Sequence, residues 1–229
     1  KSAPQVEKQS KHEKIKGALS LEVPKTSSIL LPTGTKWHSI QDGVKATGSP
    51  AVSSEGVVSS YMEYATKLYD QEVELHAAKK SSDSGSQSRW MQTVAKSGAL
   101  SDKVAALTLE VQGAPIHTPL SLDALLAMVK KKGRREALIG LDAAKRLFLA
   151  MVKKKGRREA LIGLDAAKRL FLEELLPSNR RLIPFAQHSF EELEKKCNKN
   201  RQSRDKQVLL WFFEDQLKQK YGSLLDMIE

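Results

Sequence analysis

Residues 127–149 and 150–172 carry the same 23-residue sequence, AMVKKKGRREALIGLDAAKRLFL, in immediate succession. No other feature constrains the fold as much, because 23 residues make about 6.4 turns of α-helix. On one straight helix the apolar stripe of the second copy would be rotated by roughly 140° from that of the first. Such a helix cannot send both stripes to one core, so breaks are predicted near Gly133 and Gly156. The extra copy adds a helix to a hairpin and reverses the direction of the chain behind it. Residues 150–172 are therefore expected as a strained or bulging insertion. Helical repeats normally drift in sequence, since only their core positions are constrained. Identity without a single change points to a very recent duplication, an assembly error or engineering.

Around the repeat, the apolar spacing is helical almost throughout. Residues 1–27 read as a flexible basic leader without sustained periodicity. Residues 28–56 begin with the apolar run Ser28–Leu31, which stops at Pro32-Thr33-Gly34-Thr35-Lys36-Trp37. A Pro/Gly turn followed by tryptophan predicts an extended segment docked on a neighbour, and the glycine- and serine-rich remainder a linker. From residue 57 onward Val58, Tyr61, Met62, Ala65, Leu68, Tyr69 and Val73 mark a helix over 57–79. A loop at 81–88 separates it from a short helix carrying Trp90, Met91 and Val94 and ending near Gly98. Ser101 and Ser121 are read as N-caps of the next two helices, and Ser189 as the cap of a short one. Pro177 ends the helix after the repeat, and residues 197–204 form a loop. The last helix, 205–228, has Leu210, Phe213, Leu217, Leu224 and Ile228 on one face, with Trp211, Phe212 and Tyr221 flanking it. Together these features predict an all-α fold of the HEAT/armadillo kind, an α-solenoid over 57–229.

Charge supplies the functional clue. The chain has 38 Lys and Arg against 27 Asp and Glu, a net +11. Residues 1–88 hold 11 of the cations and 10 of the acids, so nearly all of the excess follows residue 88. A polyanion is the natural partner of such a half. The densest clusters are Lys130, Lys131, Lys132, Arg134, Arg135 and their copy Lys153, Lys154, Lys155, Arg157, Arg158. Arg180, Arg181, Arg201 and Arg204 complete the candidate RNA-binding set. Cations at a helix C-terminus offset the macrodipole, but five in six residues exceed what capping needs. Phosphate contact, nuclear import and a merely solvated turn all remain open as readings. No aromatic is interleaved with the clusters, so any contact falls on phosphates rather than on stacked bases.

Other chemistry finds little support. His12, His38, His76, His117 and His188 are dispersed, and the lone Cys197 excludes a zinc set at ligand spacing. Neither glycine-rich nucleotide signature occurs, so no cofactor is called for. Glu173-Glu174 and Glu191-Glu192 are neighbours in sequence only, and adjacent helical positions do not face each other. No apolar run approaches the roughly 20 residues of a membrane span. One cysteine fits a reducing compartment.

Specific stretches carry a resemblance. Arg89-Trp90-Met91-Gln92-Thr93-Val94, Ser97 to Ala106, Ile116-His117-Thr118, Val129 to Gly133, Leu175 to Arg180 and Ser203 to Glu214 resemble the Noc/CCAAT-binding-factor family. Pro32 to Trp37 is similar to that family's short PGGKW element. The likeness is collinear over 28–229 and departs from the family at the second copy of the repeat. It implies a non-catalytic helical-repeat scaffold, the N-terminal solenoid portion of a nucleolar factor in assembly of the large ribosomal subunit. The implied partners are a second Noc-family protein in a heterodimer, pre-ribosomal RNA and pre-60S assembly factors, with no membrane. The family name records transcription through DNA as an alternative, and a protein-interaction solenoid with incidental charge is a third. No helix-turn-helix, basic zipper or finger supports reading of a major groove.

Overall fold

A computed structural model describes residues 21–40, 53–82, 85–130, 158–197 and 200–228. The predicted breaks at Gly133 and Gly156, residues 1–20 of the leader and most of the first repeat copy lie outside the described residues. What is described is an all-α helical-repeat fold, with no strand among these residues. The helices are α1 (Glu55–Ser82), α2 (Ser86–Ser97), α3 (Leu100–Gly113), α4 (Pro119–Lys130), α5 (158–170), α6 (Phe190–Lys196) and α7 (Arg201–Ile228). Consecutive helices α2, α3 and α4 pack in series, and α7 lies against both α1 and α4.

α7 is the centre of the body. It begins four residues before the predicted start because Asn200, rather than any later residue, caps it: the Asn200 side chain accepts from the Ser203 amide at 3.1 Å. Every residue from Gln207 to Asp215 is buried. A helix buried on all sides sits inside the molecule rather than on its surface. The predicted stripe is therefore only one side of it, and Val208, Leu209, Trp211 and Phe212 fill the others. Against it pack Tyr61, Tyr64, Leu68 and Tyr69 of α1, Phe185 from the connection before α6 and Phe190 at the start of α6. Tyr61 stacks on Phe190 with ring centroids 4.5 Å apart.

Two of the predicted caps are corrected. Ser101 lies one residue inside α3, whose N-cap is Ala99. Ser121 lies inside α4, which opens on Pro119, a residue whose missing amide hydrogen costs nothing in the first turn. The Ser121 hydroxyl instead donates to Glu110 at 2.5 Å. Ser189 is a cap as expected, accepting from the Glu192 amide at 3.4 Å. Trp90, read as a stripe residue, is 64% exposed.

The repeat also resolves differently from its expectation. Residues expected to bulge are in the core: Ala167, Leu170 and Phe171 of the second copy are buried. Gly163 lies so close to α4 that a Cβ there would sit 3.1 Å from the Met128 Cβ. That approach explains a glycine in mid-helix despite its low helix propensity. The physical reason is that an identical tandem repeat has no unique second copy. Removing any 23 consecutive residues from 127–172 leaves the same chain. The helix pair α4 and α5 uses the start of one copy and the end of the other, so the excess lies within 131–157.

α5 closes with a π-helical turn, Phe171–Leu175, in which the Leu176 amide bonds the Phe171 carbonyl at 2.8 Å. Four of its buried positions, Gly163, Ala167, Phe171 and Leu175, recur every four residues. A 3.6-residue period drifts across such a stripe, and the wider turn brings Leu175 back to the core. Leu176 is extended, as a residue before proline must be, and the helix ends there.

Candidate nucleic-acid interface

The C-terminal excess of cations is sorted by the fold into three groups. In the first are the residues of the clusters. Lys130 ends α4, and Arg158 opens the described part of α5 and is exposed. Lys131, Lys132, Arg134, Arg135, Lys153, Lys154, Lys155 and Arg157 lie outside the described residues. Of the two clusters, then, only Lys130, at the end of α4, and Arg158, at the start of the described part of α5 rather than at a helix C-terminus, are described.

A second group is surface arginines engaged with acids of α7. Arg180 makes a two-pronged contact with Glu214, through Nη1 to Oε1 and through Nη2 to Oε2 at 3.0 Å. Glu214 also accepts from the Ile183 amide at 2.8 Å. Arg180 covers the Trp37 ring at 5.6 Å from its centroid. Arg201 pairs with Asp205 at 3.6 Å and bonds the Glu22 carbonyl. Arg181 is exposed. Of this connection, Arg181 is the cation best placed to meet a phosphate.

The third group is Arg204, and here the sequence expectation fails. Its side chain is 0% exposed. Nε and Nη2 both lie 3.2 Å from Asp205 Oδ1, Nη2 is 3.3 Å from the Tyr64 hydroxyl, and Nη1 is 3.5 Å from Glu194. Burial works against the charge, but Asp205, Tyr64 and Glu194 outweigh it and hold the guanidinium above its ordinary pKa. Tyr64 donates to Asp205 at 2.7 Å, and burial followed by that bond raises its pKa to about 12. Tyr61 donates to Glu194 and is raised by the same two causes. An ion enclosed this way is a fastening between α1, α6 and α7, with no face left for a nucleic acid. A sequence signal was present: Arg204-Asp205 lies in the first turns of α7, one turn before the apolar run Val208–Phe213.

Two histidines that seemed unrelated in sequence meet. His117 Nε2 lies 3.1 Å from Glu72, and its ring stacks on His76 with centroids 4.7 Å apart. Burial pushes the Glu72 carboxyl up, yet His117 and the Leu30 and Leu31 amides outweigh that and hold it below the usual carboxylate range. No group of three His, Cys, Asp or Glu side chains suited to a metal occurs among the described residues. No helix among them is long and apolar enough to cross a membrane.

An open cleft of about 690 Å3 runs between α3 and α5, lined by Val104, Leu109, Leu161, Ile162 and Leu170 among others. Its one arginine, Arg169, pairs with Asp165 at 3.2 Å. The cleft is apolar and offers little to a phosphate. The described surface therefore presents cations on the helix connections and apolar side chains between the helices. Among the described residues the carboxylates Glu72, Glu194, Asp205, Glu214 and Asp215 are buried, against one buried guanidinium, Arg204, and two histidines.

No protein-family model matches the chain. It is 32% identical over 221 residues to the CCAAT/enhancer-binding protein zeta of Mus musculus, a match covering 96% of this chain and 19% of that protein. To the protein of the same name from Homo sapiens it is 32% identical over 203 residues, covering 88% of this chain and 17% of that one. The ribosome biogenesis protein NOC1 of Chaetomium thermophilum is 26% identical over 151 residues, 62% of this chain and 12% of that protein. The chain spans about a fifth of the length of the first two relatives.

Proposed function

Since the chain belongs to the family of CCAAT/enhancer-binding protein zeta, we propose that it is a non-catalytic helical scaffold in nucleolar assembly of the large ribosomal subunit. In this reading it holds pre-ribosomal RNA by its phosphates and offers its helical surfaces to assembly factors. It pairs with a second Noc-family protein. The observation that carries the proposal is the placement of cations. Arg158 and Arg181 are exposed, the clusters at 130–135 and 153–158 stand in sequence at the two ends of the stretch that joins α4 to α5, and among the described residues five acids are buried. Cations on turns reach a backbone without disturbing the packing beneath them, and such contacts carry little sequence information. A relative named for ribosome biogenesis supports RNA as the polyanion.

A second reading has a specific observation behind it, since two relatives are named for binding a CCAAT enhancer. The two are separated by titrating the chain with unrelated single-stranded RNAs and with CCAAT-bearing and scrambled DNA duplexes at two salt concentrations. The scaffold reading expects similar affinities across the RNAs and a steep fall with salt. Preference for the CCAAT duplex by more than about tenfold over RNA would put the transcription reading first. No binding even at low salt would leave the charge incidental and the chain a protein-interaction module.

A further inference from the structure

The most unusual contact set in the molecule joins residues 21–40 to the helical body. This segment forms only short turns with itself, through Thr26 to Pro24 and through Ser39 and Ile40 to Lys36 and Trp37. Its other polar backbone contacts go to the body. The Leu30 amide donates to both oxygens of Glu72, at 2.8 and 2.9 Å, and the Leu31 amide to Glu72 Oε1 at 2.9 Å. Glu72 is 2% exposed and is braced from behind by His117. The Gly34 amide donates to the Gly113 carbonyl at 2.8 Å, where the chain turns through a φ of 76° that favours glycine. Six residues beyond Leu31, Trp37 is buried and its Nε1 donates to the Leu175 carbonyl at 2.8 Å. That carbonyl is available because α5 ends there and leaves its last acceptors without intrahelical donors. Lys36 takes the Glu173 carbonyl at 2.8 Å.

These are the features of a bound peptide rather than of a helix partner. The receptor supplies a preformed carboxylate for two consecutive amides, an apolar seat for Leu31, a backbone acceptor at a turn and a pocket for an indole. Each part comes from a different element: α1, the end of α3 and the end of α5. Main-chain bonds give affinity in such complexes, and pockets for a few side chains give specificity. We propose that the body carries a recognition site for an extended peptide and that residues 29–37 are its resident, exchangeable ligand. The partner that fits is a segment from another chain bearing an apolar pair with free amides, then glycine, then lysine and tryptophan at this spacing. Arrival of that segment displaces the resident one, so the site couples docking of a partner to release of residues 29–37. This inference is independent of RNA binding.

The test uses the full chain carrying Leu31→Asp and Trp37→Ala, which empties the site, and a fluorescent peptide of residues 27–40 followed by anisotropy. The substituted chain is expected to keep its helical circular dichroism and to bind the peptide. The unsubstituted chain should bind it at least about tenfold more weakly, because a tethered resident competes at an effective concentration near the millimolar range. A peptide N-methylated at Leu30 and Leu31 lacks the donors for Glu72 and should lose at least about tenfold in affinity. Loss of helical signal in the substituted chain would make residues 29–37 an inseparable part of the core and overturn the proposal. So would a folded, emptied chain that leaves the peptide free at about 1 mM, or an N-methylated peptide that binds as well as the native one.

Discussion

At the scale of single residues, the charges divide by what surrounds them, and two predictions follow from that division. Arg204 and Arg181 are both arginines of the C-terminal half, but one is enclosed by Asp205, Glu194 and Tyr64 and the other faces solvent. Arg204→Gln leaves Asp205 buried without its main counter-charge, and urea denaturation should show a loss of about 3–5 kcal/mol. Arg181→Gln should change stability by less than about 0.5 kcal/mol. Equal effects would mean that the enclosed network is not holding α1 to α7. His188 gives the second prediction. It stacks on Trp211 at 4.2 Å, its Nε2 finds no partner among the described residues, and its pKa is pushed down to about 4, by burial first and by Arg180 second. In the unfolded chain the imidazole titrates near about 6.5. Between those pH values the unfolded state binds a proton that the folded state refuses, so stability falls as pH is lowered from about 6.5 toward 4. The full effect is about 3 kcal/mol. His188→Phe keeps an aromatic ring against Trp211 and should flatten the dependence, and an unchanged slope would assign it to other groups. Glu72 and Glu110, whose folded pKa values lie below the ordinary carboxylate range, add their own loss from the foot of this window downward.

Among the elements, what could be read from the chain was what periodicity controls. The stripe of α1, the turn at Gly98 and the cap at Ser189 follow from spacing and local polar chemistry, and they are where the sequence places them. α7 was legible as a helix but not as the centre of the body, because burial on its remaining faces depends on elements distant in sequence. The charges at Glu72, Arg204, Asp205 and Glu214 were misleading for the same reason. Periodicity counts them as polar, while partners as far away as Leu30 and Tyr64 make them interior. The repeat was legible as a conflict of stripes, but which residues are in excess is decided by packing. Between Lys130 and Arg158, deletion of 23 residues leaves a four-residue connection, within the usual range for neighbouring helices. Close contact of Gly163 with Met128 shows that the two helices already lie side by side. The shortened chain should therefore melt at the same temperature as the full one or higher, since no described contact is removed and the closed loop is shorter. A large fall in the melting temperature would show that residues 131–157 belong to the core.

For the whole molecule, the net charge of +11 acts through where it is displayed. Acids serve as internal anchors for amides and arginines, so the exposed connections keep a basic surplus. The duplication carries its cluster twice in the sequence between α4 and α5, which makes a quantitative expectation possible. Release of counterions from single-stranded RNA lowers the slope of log affinity against log salt by about 0.7 for each neutralised phosphate. Replacing Lys130, Lys131, Arg134 and Arg135 with glutamine should reduce that slope and weaken unrelated RNAs by similar factors. Replacing Lys153, Lys154, Arg157 and Arg158 should do the same by a comparable increment, because the clusters are identical. The two sets together should act additively if each neutralises its own phosphates, as independent sites do. Circular dichroism should be unchanged throughout, in contrast to Arg204→Gln. Anisotropy titrations between about 50 and 200 mM salt provide the measurement. Retained affinity and slope in the doubly substituted chain would remove both clusters from the interface and leave Arg181 and its neighbours to account for any RNA binding. Selective loss of one RNA sequence would instead mean that a base edge is being read, and a phosphate model would no longer describe the contact.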